Sequence, residues 1–179
     1  SVYRQIGIGC ERLFRTILQD KLGLTEAQSK WSYKVPRSGG KERTLSLDGR
    51  IEIQDVADTA SRRRVRAWMN KAAKRLEIDE QVRKGLRGVV FEVRQGYKSK
   101  DSKRQNADIA NAATAYTKGL LPCAAILSLQ IDDDIALRYT AERWLLLTGS
   151  VDVESPHESV YAFMKDVVGY DLAAFFGRN

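Results

Sequence analysis

Three short runs in this chain are too apolar to lie against water on either side: GVVFEVR at 88–94, CAAILSLQI at 123–131 and WLLLTG at 144–149. Runs of this length hide both faces only as strands inside a sheet that carries helices on each side. The segments between them have helical spacing. This alternation predicts an α/β fold with a mixed central β-sheet flanked by helices. At 179 residues the chain has room for one domain with a single sizeable core.

Further elements follow from local pattern. Ile6, Cys10, Leu13, Ile17 and Leu18 recur at helical spacing and Gly23 follows, which predicts a helix over 3–22. A short strand over 31–36 ends at Pro36, and the RSGGK stretch, 37–41, is a turn. Residues 43–54 alternate polar and apolar side chains like a half-buried strand. Asp48-Gly49 interrupts it, either as a hairpin turn or as a bulge in one long strand. Helices are expected over 59–76, 79–86 (with Asp79 as N-cap), 101–118 and 133–143, and one or two more over 156–176.

Charge is distributed unevenly. The net charge is +7, with 30 Lys+Arg against 23 Asp+Glu. The helix over 59–76 holds seven basic residues between Arg62 and Arg75 (Arg62, Arg63, Arg64, Arg66, Lys71, Lys74, Arg75) and no acid. Seven like charges repel, and a polyanion relieves the repulsion. At 1.5 Å per residue the helix is ~27 Å long, enough to lie across a major groove. A second basic run, Lys98, Lys100, Lys103 and Arg104, follows Gly96 and is interleaved with serines, a composition suited to phosphate contacts. Double-stranded DNA is the expected partner. The alternative for each run is a solvated surface.

Several chemistries are excluded. A single histidine, His157, supports neither a serine–histidine triad nor a histidine-rich metal site, and its expected place is the surface. No phosphate-binding GxxxxGK[ST] loop is present. Cys10 and Cys123 form no CxxC or Cys/His cluster and read as buried free thiols, which suits a reducing cytoplasm. No apolar run reaches the roughly 18 residues needed to cross a bilayer, and the N-terminal residues lack the zones of a secretory signal. Asp132, Asp133 and Asp134 read as a turn and helix cap, and Trp31, Trp68 and Trp144 as core.

Glu92 and Arg94 are charged residues two apart on an apolar strand, so they project from one face. Charges in such a strand are costly unless they have partners or a task. The plain reading is a structural ion pair on an edge strand, and the sharper one a catalytic strand. Together with Asp48 in LDGRIEI and the helix after Gly96, this stretch resembles the PD-(D/E)XK nuclease superfamily of restriction endonucleases. The family places an acid on one strand, an acid-x-Lys tripeptide on the next central strand, and a helix after it. The resemblance implies Asp48 as the first acid, with Asp55 and Asp79 as alternatives, and Glu92 as the second. It also implies Mg²⁺ held by Asp48, Glu92 and the Val93 carbonyl, and charge stabilisation by Arg94 or Lys98. The first helix, with Glu11, resembles the family helix that contributes an acid near the metal.

The sequence departs from the family pattern in three ways. No proline precedes Asp48, arginine stands in the lysine position, and 44 positions separate the two acids (92 − 48). The activity implied is a Mg²⁺-dependent DNA endonuclease on a single domain, 1–179, with 59–87 as a helical DNA-binding insertion, acting as a homodimer on twofold sites. The competing readings are a noncatalytic DNA-binding protein on a degenerate nuclease scaffold and an RNA-binding or RNA-processing protein.

Overall fold

The computed structural model describes residues 2–96, 111–129 and 131–178. The fold is mixed α/β. Helix α1 (Val2–Leu22) leads into a two-stranded ribbon of β1 (Trp31–Pro36) and β2 (Glu42–Leu47), followed by β3 (Gly49–Glu52) and a single 3-10 turn at Ile53–Asp55. Next come α2 (Thr59–Arg75), α3 (Glu80–Lys84), β4 (Gly88–Arg94) and a helical stretch over 111–117, here α4. Then follow β5 (Leu120–Ile126), α5 (Asp133–Ala141), β6 (Leu145–Leu147), α6 (Val160–Phe163) with a π-helical turn over Met164–Val168, and α7 (Leu172–Arg178).

The sheet runs β3-β4-β5-β6, with β3 antiparallel to β4 and the other two pairs parallel. Strand alternation divides the core into two layers. Val89, Phe91 and Val93 of β4 pack with Leu121, Cys123 and Ala125 of β5 against α1, α2 and the C-terminal helices. Val90 packs with Ala124 and Ile126 on the opposite face, against the base of the ribbon, α4 and α5. The two parallel crossovers place α4 and α5 on the same side, as crossovers of one hand do.

Several expectations change. The alternating segment over 43–54 is not one strand and does not fold back at Asp48: it breaks there, with β2 in the ribbon, β3 in the main sheet and Ile53–Asp55 in a 3-10 turn. Strand β5 begins three residues earlier than position 123 and ends at Ile126. Strand β4 lies between β3 and β5, so the Glu92–Arg94 pair is not on an edge. His157 is not at the surface. It is 5% exposed, and its Nε2 lies 3.0 Å from the Trp68 carbonyl oxygen, while the Trp68 indole donates to Pro156 O at 2.6 Å. Cys123 is a buried thiol, but Cys10 is only half-buried. Asp79 and Asp132 cap α3 and α5 as expected, accepting from Gln81 N and Asp134 N at 2.9 Å. All three tryptophans are core. Among the described residues no helix is long and apolar enough to cross a membrane.

Candidate active site

Glu92 lies near the C-terminal end of β4 and is 4% exposed. Asp48, at the break between β2 and β3, sits astride it. The Asp48 N–H donates to the carbonyl of Phe91 at 2.8 Å, and its Oδ2 accepts from the N–H of Val93 at 2.8 Å. Those two bonds, to the residues before and after Glu92, bring together acids 44 positions apart. The break at Asp48 makes this possible, because a continuous ladder would commit its backbone to regular pairing.

Helix α1 adds a third acid. Gly49 lets the helix approach: a Cβ there would lie 3.3 Å from the Phe14 ring. Glu11 and Arg15, one turn apart on α1, therefore reach the break. The charge of Asp48 acts on the Glu11 carboxyl, and Arg15 donates to the Asp48 backbone oxygen at 3.0 Å. Arg94 completes the cluster, pairing with Glu92 and lying 3.9 Å from the Glu11 carboxylate.

Burial and then the charge of Asp48 raise the Glu11 carboxyl above its ordinary range, against the pull of Arg94 and Arg15. Burial raises Asp48 as well, opposed by the Val93 N–H and by Arg94. Three carboxylates, Glu11, Asp48 and Glu92, thus face two cations, Arg15 and Arg94, and the Glu11–Asp48 pair retains protons more readily than isolated acids. Hard oxygen donors short of positive charge are the donor set that Mg²⁺ prefers. Glu11, Asp48, Glu92 and the Val93 carbonyl are the oxygen donors from which such a set would be drawn. Among the described residues, no three acid, histidine or cysteine side chains form a group disposed to hold a metal; Arg94 pairs with two of the three carboxylates.

The site opens into a cleft of about 480 Å³ lined by Glu11, Arg15, Lys30, Asp48 and Arg50 together with the ribbon base, Trp31, Ser32, Ser46 and Leu47. Nothing in the sequence marks Lys30 or Arg50, and the spacing of Glu11 and Arg15 on one helical face is the signal for Arg15.

The other expected site residues are placed elsewhere. Asp79 is the α3 cap, and Asp55 lies in the 3-10 turn beyond the far end of β3, so neither takes the place of Asp48. Arg62 donates from Nε to Val56 O at 2.6 Å, and Arg64 to Val167 O at 3.3 Å and to Ser61 Oγ at 2.9 Å, so these two serve the protein's own backbone and cap. Arg63, Arg66 and Lys71 are exposed. Helices α2 and α3 connect the far end of β3 to the start of β4. The α3–β4 junction is six residues from Arg94, or about 20 Å of strand. Lys98, Lys100, Lys103 and Arg104 lie outside the described residues. No protein-family model, curated protein or solved structure matches this chain.

Proposed function

We propose that this protein is a Mg²⁺-dependent endonuclease that hydrolyses phosphodiester bonds in double-stranded DNA at the Asp48–Glu92 site. The observation that carries this reading is the bracketing of Glu92 by Asp48, whose N–H and carboxylate bond the peptide groups on either side of it. Acids this far apart in sequence, gathered at some cost in burial beside a third acid and an open cleft, are a functional arrangement before they are a stabilising one.

Asp48, Glu92 and the Val93 carbonyl would hold the ion, with Glu11 from α1. When bound, Mg²⁺ lowers the pKa of a coordinated water and neutralises charge on the scissile phosphate. The Val93 N–H fixes the orientation of the Asp48 carboxylate through Oδ2. Arg94 keeps its proton at any working pH, so it stabilises charge on the phosphoryl oxygens and takes no proton. Arg15, Lys30 and Arg50 line the approach, each with a partner inside the protein: Arg15 at the Asp48 carbonyl, Lys30 at Glu26 and Arg50 at the Gln28 and Ala27 carbonyls. The duplex presents two strands related by a twofold axis, so cutting both asks for two copies of the chain.

Supercoiled plasmid incubated with Mg²⁺ is expected to be nicked or linearised, and EDTA to prevent it. Asp48→Asn and Glu92→Gln each lower the rate by at least about a hundredfold. Mg²⁺, or Ca²⁺ as a non-supporting stand-in, raises the melting temperature of the parent but not of Asp48→Asn, a readout independent of turnover. Cleavage that survives EDTA or both substitutions would refute the proposal. A noncatalytic DNA-binding protein is the second reading. It is favoured by the pairing of Arg94 with both Glu92 and Glu11, and it predicts duplex binding with no metal-dependent cutting.

A further inference from the structure

The β1–β2 ribbon leaves the body of the protein. Its base is buried through Trp31, Tyr33 and Leu47, but every residue from Pro36 to Thr44 is exposed. A two-stranded ribbon with nothing against its outer half is marginal on its own, so packing does not account for its length. Its charge is one-sided: Lys34, Arg37, Lys41 and Arg43 against Glu42, or 4 − 1 = +3. Lys34 pairs with Glu42 at 3.8 Å, while Arg37, Lys41 and Arg43 make no ion pair among the described residues. The tip is closed by the N–H of Arg37 donating to Lys41 O at 2.6 Å across Ser38, Gly39 and Gly40. Both glycines have positive φ, +85° and +75°, with open space where a Cβ would stand, so the tip is narrow and its backbone accessible.

The ribbon points away from the same place the carboxylates converge. Ser32, Ser46 and Leu47 of its base line the cleft that contains Asp48. From Glu42 to Asp48 the strand covers about 20 Å, a little more than half of the ~34 Å that one turn of duplex occupies. A major groove about 12 Å wide admits a two-stranded β-ribbon. By contrast, the basic groove between α2 and α3, with Arg66, Lys74, Arg83 and Lys84, flanks the start of β4, at the opposite end of the sheet.

We propose that the β1–β2 ribbon is the arm that enters the major groove of duplex DNA and sets the duplex over Asp48, with Arg37, Lys41 and Arg43 as its contacts. This rests on the endonuclease reading for the identity of the polyanion. It departs from the expectation that the basic helix α2 makes the principal contact.

The test is binding of a labelled, plasmid-derived duplex fragment by the full chain with Ca²⁺ in place of Mg²⁺, titrated over a range of salt. The triple variant Arg37→Gln, Lys41→Gln, Arg43→Gln is expected to bind at least about tenfold more weakly, with its log–log salt slope lowered by about 2.7, three contacts at ~0.9 each. The α2 triple variant Arg63→Gln, Arg66→Gln, Lys71→Gln is expected to bind as the parent does. Unchanged far-UV circular dichroism and melting temperature show that both variants fold. Parental affinity and slope in the ribbon variant, loss in the α2 variant alone, or tighter binding of duplex RNA than of DNA would each overturn the proposal. If Asp48→Asn abolishes cutting while the ribbon variant binds normally, the ribbon inference falls and the endonuclease reading stands; a parent that neither binds nor cuts duplex DNA ends both.

Discussion

At the scale of single residues, the Glu11–Asp48 pair sets two opposing demands. Burial holds both carboxyls above their ordinary range, so the folded protein takes up protons more readily than the unfolded chain. Stability therefore falls as pH rises through those raised values. Asp48→Asn keeps an acceptor for the Val93 N–H and removes the charge, so it is expected to raise the melting temperature at neutral pH by roughly 2–4 °C while abolishing the Mg²⁺ response; a variant less stable than the parent contradicts that account. His157 behaves in the opposite sense. Burial lowers its pKa below the ordinary value, partly countered by the Trp68 carbonyl, so the unfolded chain binds the proton better. Stability is full above the unfolded pKa of about 6.5 and declines as pH falls toward the folded value. Urea midpoints at pH 7.5 and 5.5 should differ less in His157→Gln than in the parent, and equal differences would count against a buried neutral imidazole. Glu92 stood out in the sequence as an acid set in an apolar strand, and Asp48 only through the resemblance of LDGRIEI to the nuclease pattern. The sequence did not show His157 as buried, because nothing in a Pro-His-Glu turn reveals the tryptophan 89 positions away whose main-chain carbonyl the ring meets.

At the scale of elements, strand β4 holds the sheet and the site together. Phe91 is fully buried and its ring meets Phe14 of α1 at 5.0 Å and Phe163 of α6 at 5.6 Å between centroids. Phe91→Ala is expected to cost about 3–5 kcal/mol, measured by chemical denaturation, because it removes the contact that seats both helices. A cost under about 1 kcal/mol would mean that α1 is not fixed to the sheet through this ring. The apolar runs made β4, β5 and β6 legible in the sequence, and the caps made the starts of α3 and α5 legible. The Asp48-Gly49 interruption was legible too, but not the change of partner across it, since alternation reports which face a side chain takes and says nothing about which strand it pairs with. Residues 43–47 and 49–52 continue one pattern, yet their partners are β1 and β4.

At the scale of the whole molecule, cationic surface is divided between two ends. Counting charges along the chain singled out α2, where seven basic residues lie close together. That helix packs its apolar side on the face of the sheet, its groove with α3 lies by the start of β4, and two of its arginines are bonded to main-chain oxygens of the protein itself. The four cations of the ribbon form no run in the sequence, because they are spaced along two strands and a glycine turn. What a linear reading lacks is the three-dimensional end of the sheet to which each charge belongs.

The alternation within β4 carries a further consequence. Val89, Phe91 and Val93 serve one core layer and, beyond Val90, which serves the other, Glu92 and Arg94 serve the site, so toward the end of β4 structure and chemistry are written on alternate letters of one seven-residue word. Losing or gaining a single letter there would exchange the two meanings, driving carboxylate and guanidinium into the aromatic cluster and turning phenylalanine and valine outward to the cleft. Substitutions can modify this strand one side at a time, but any change in its length strikes both roles together.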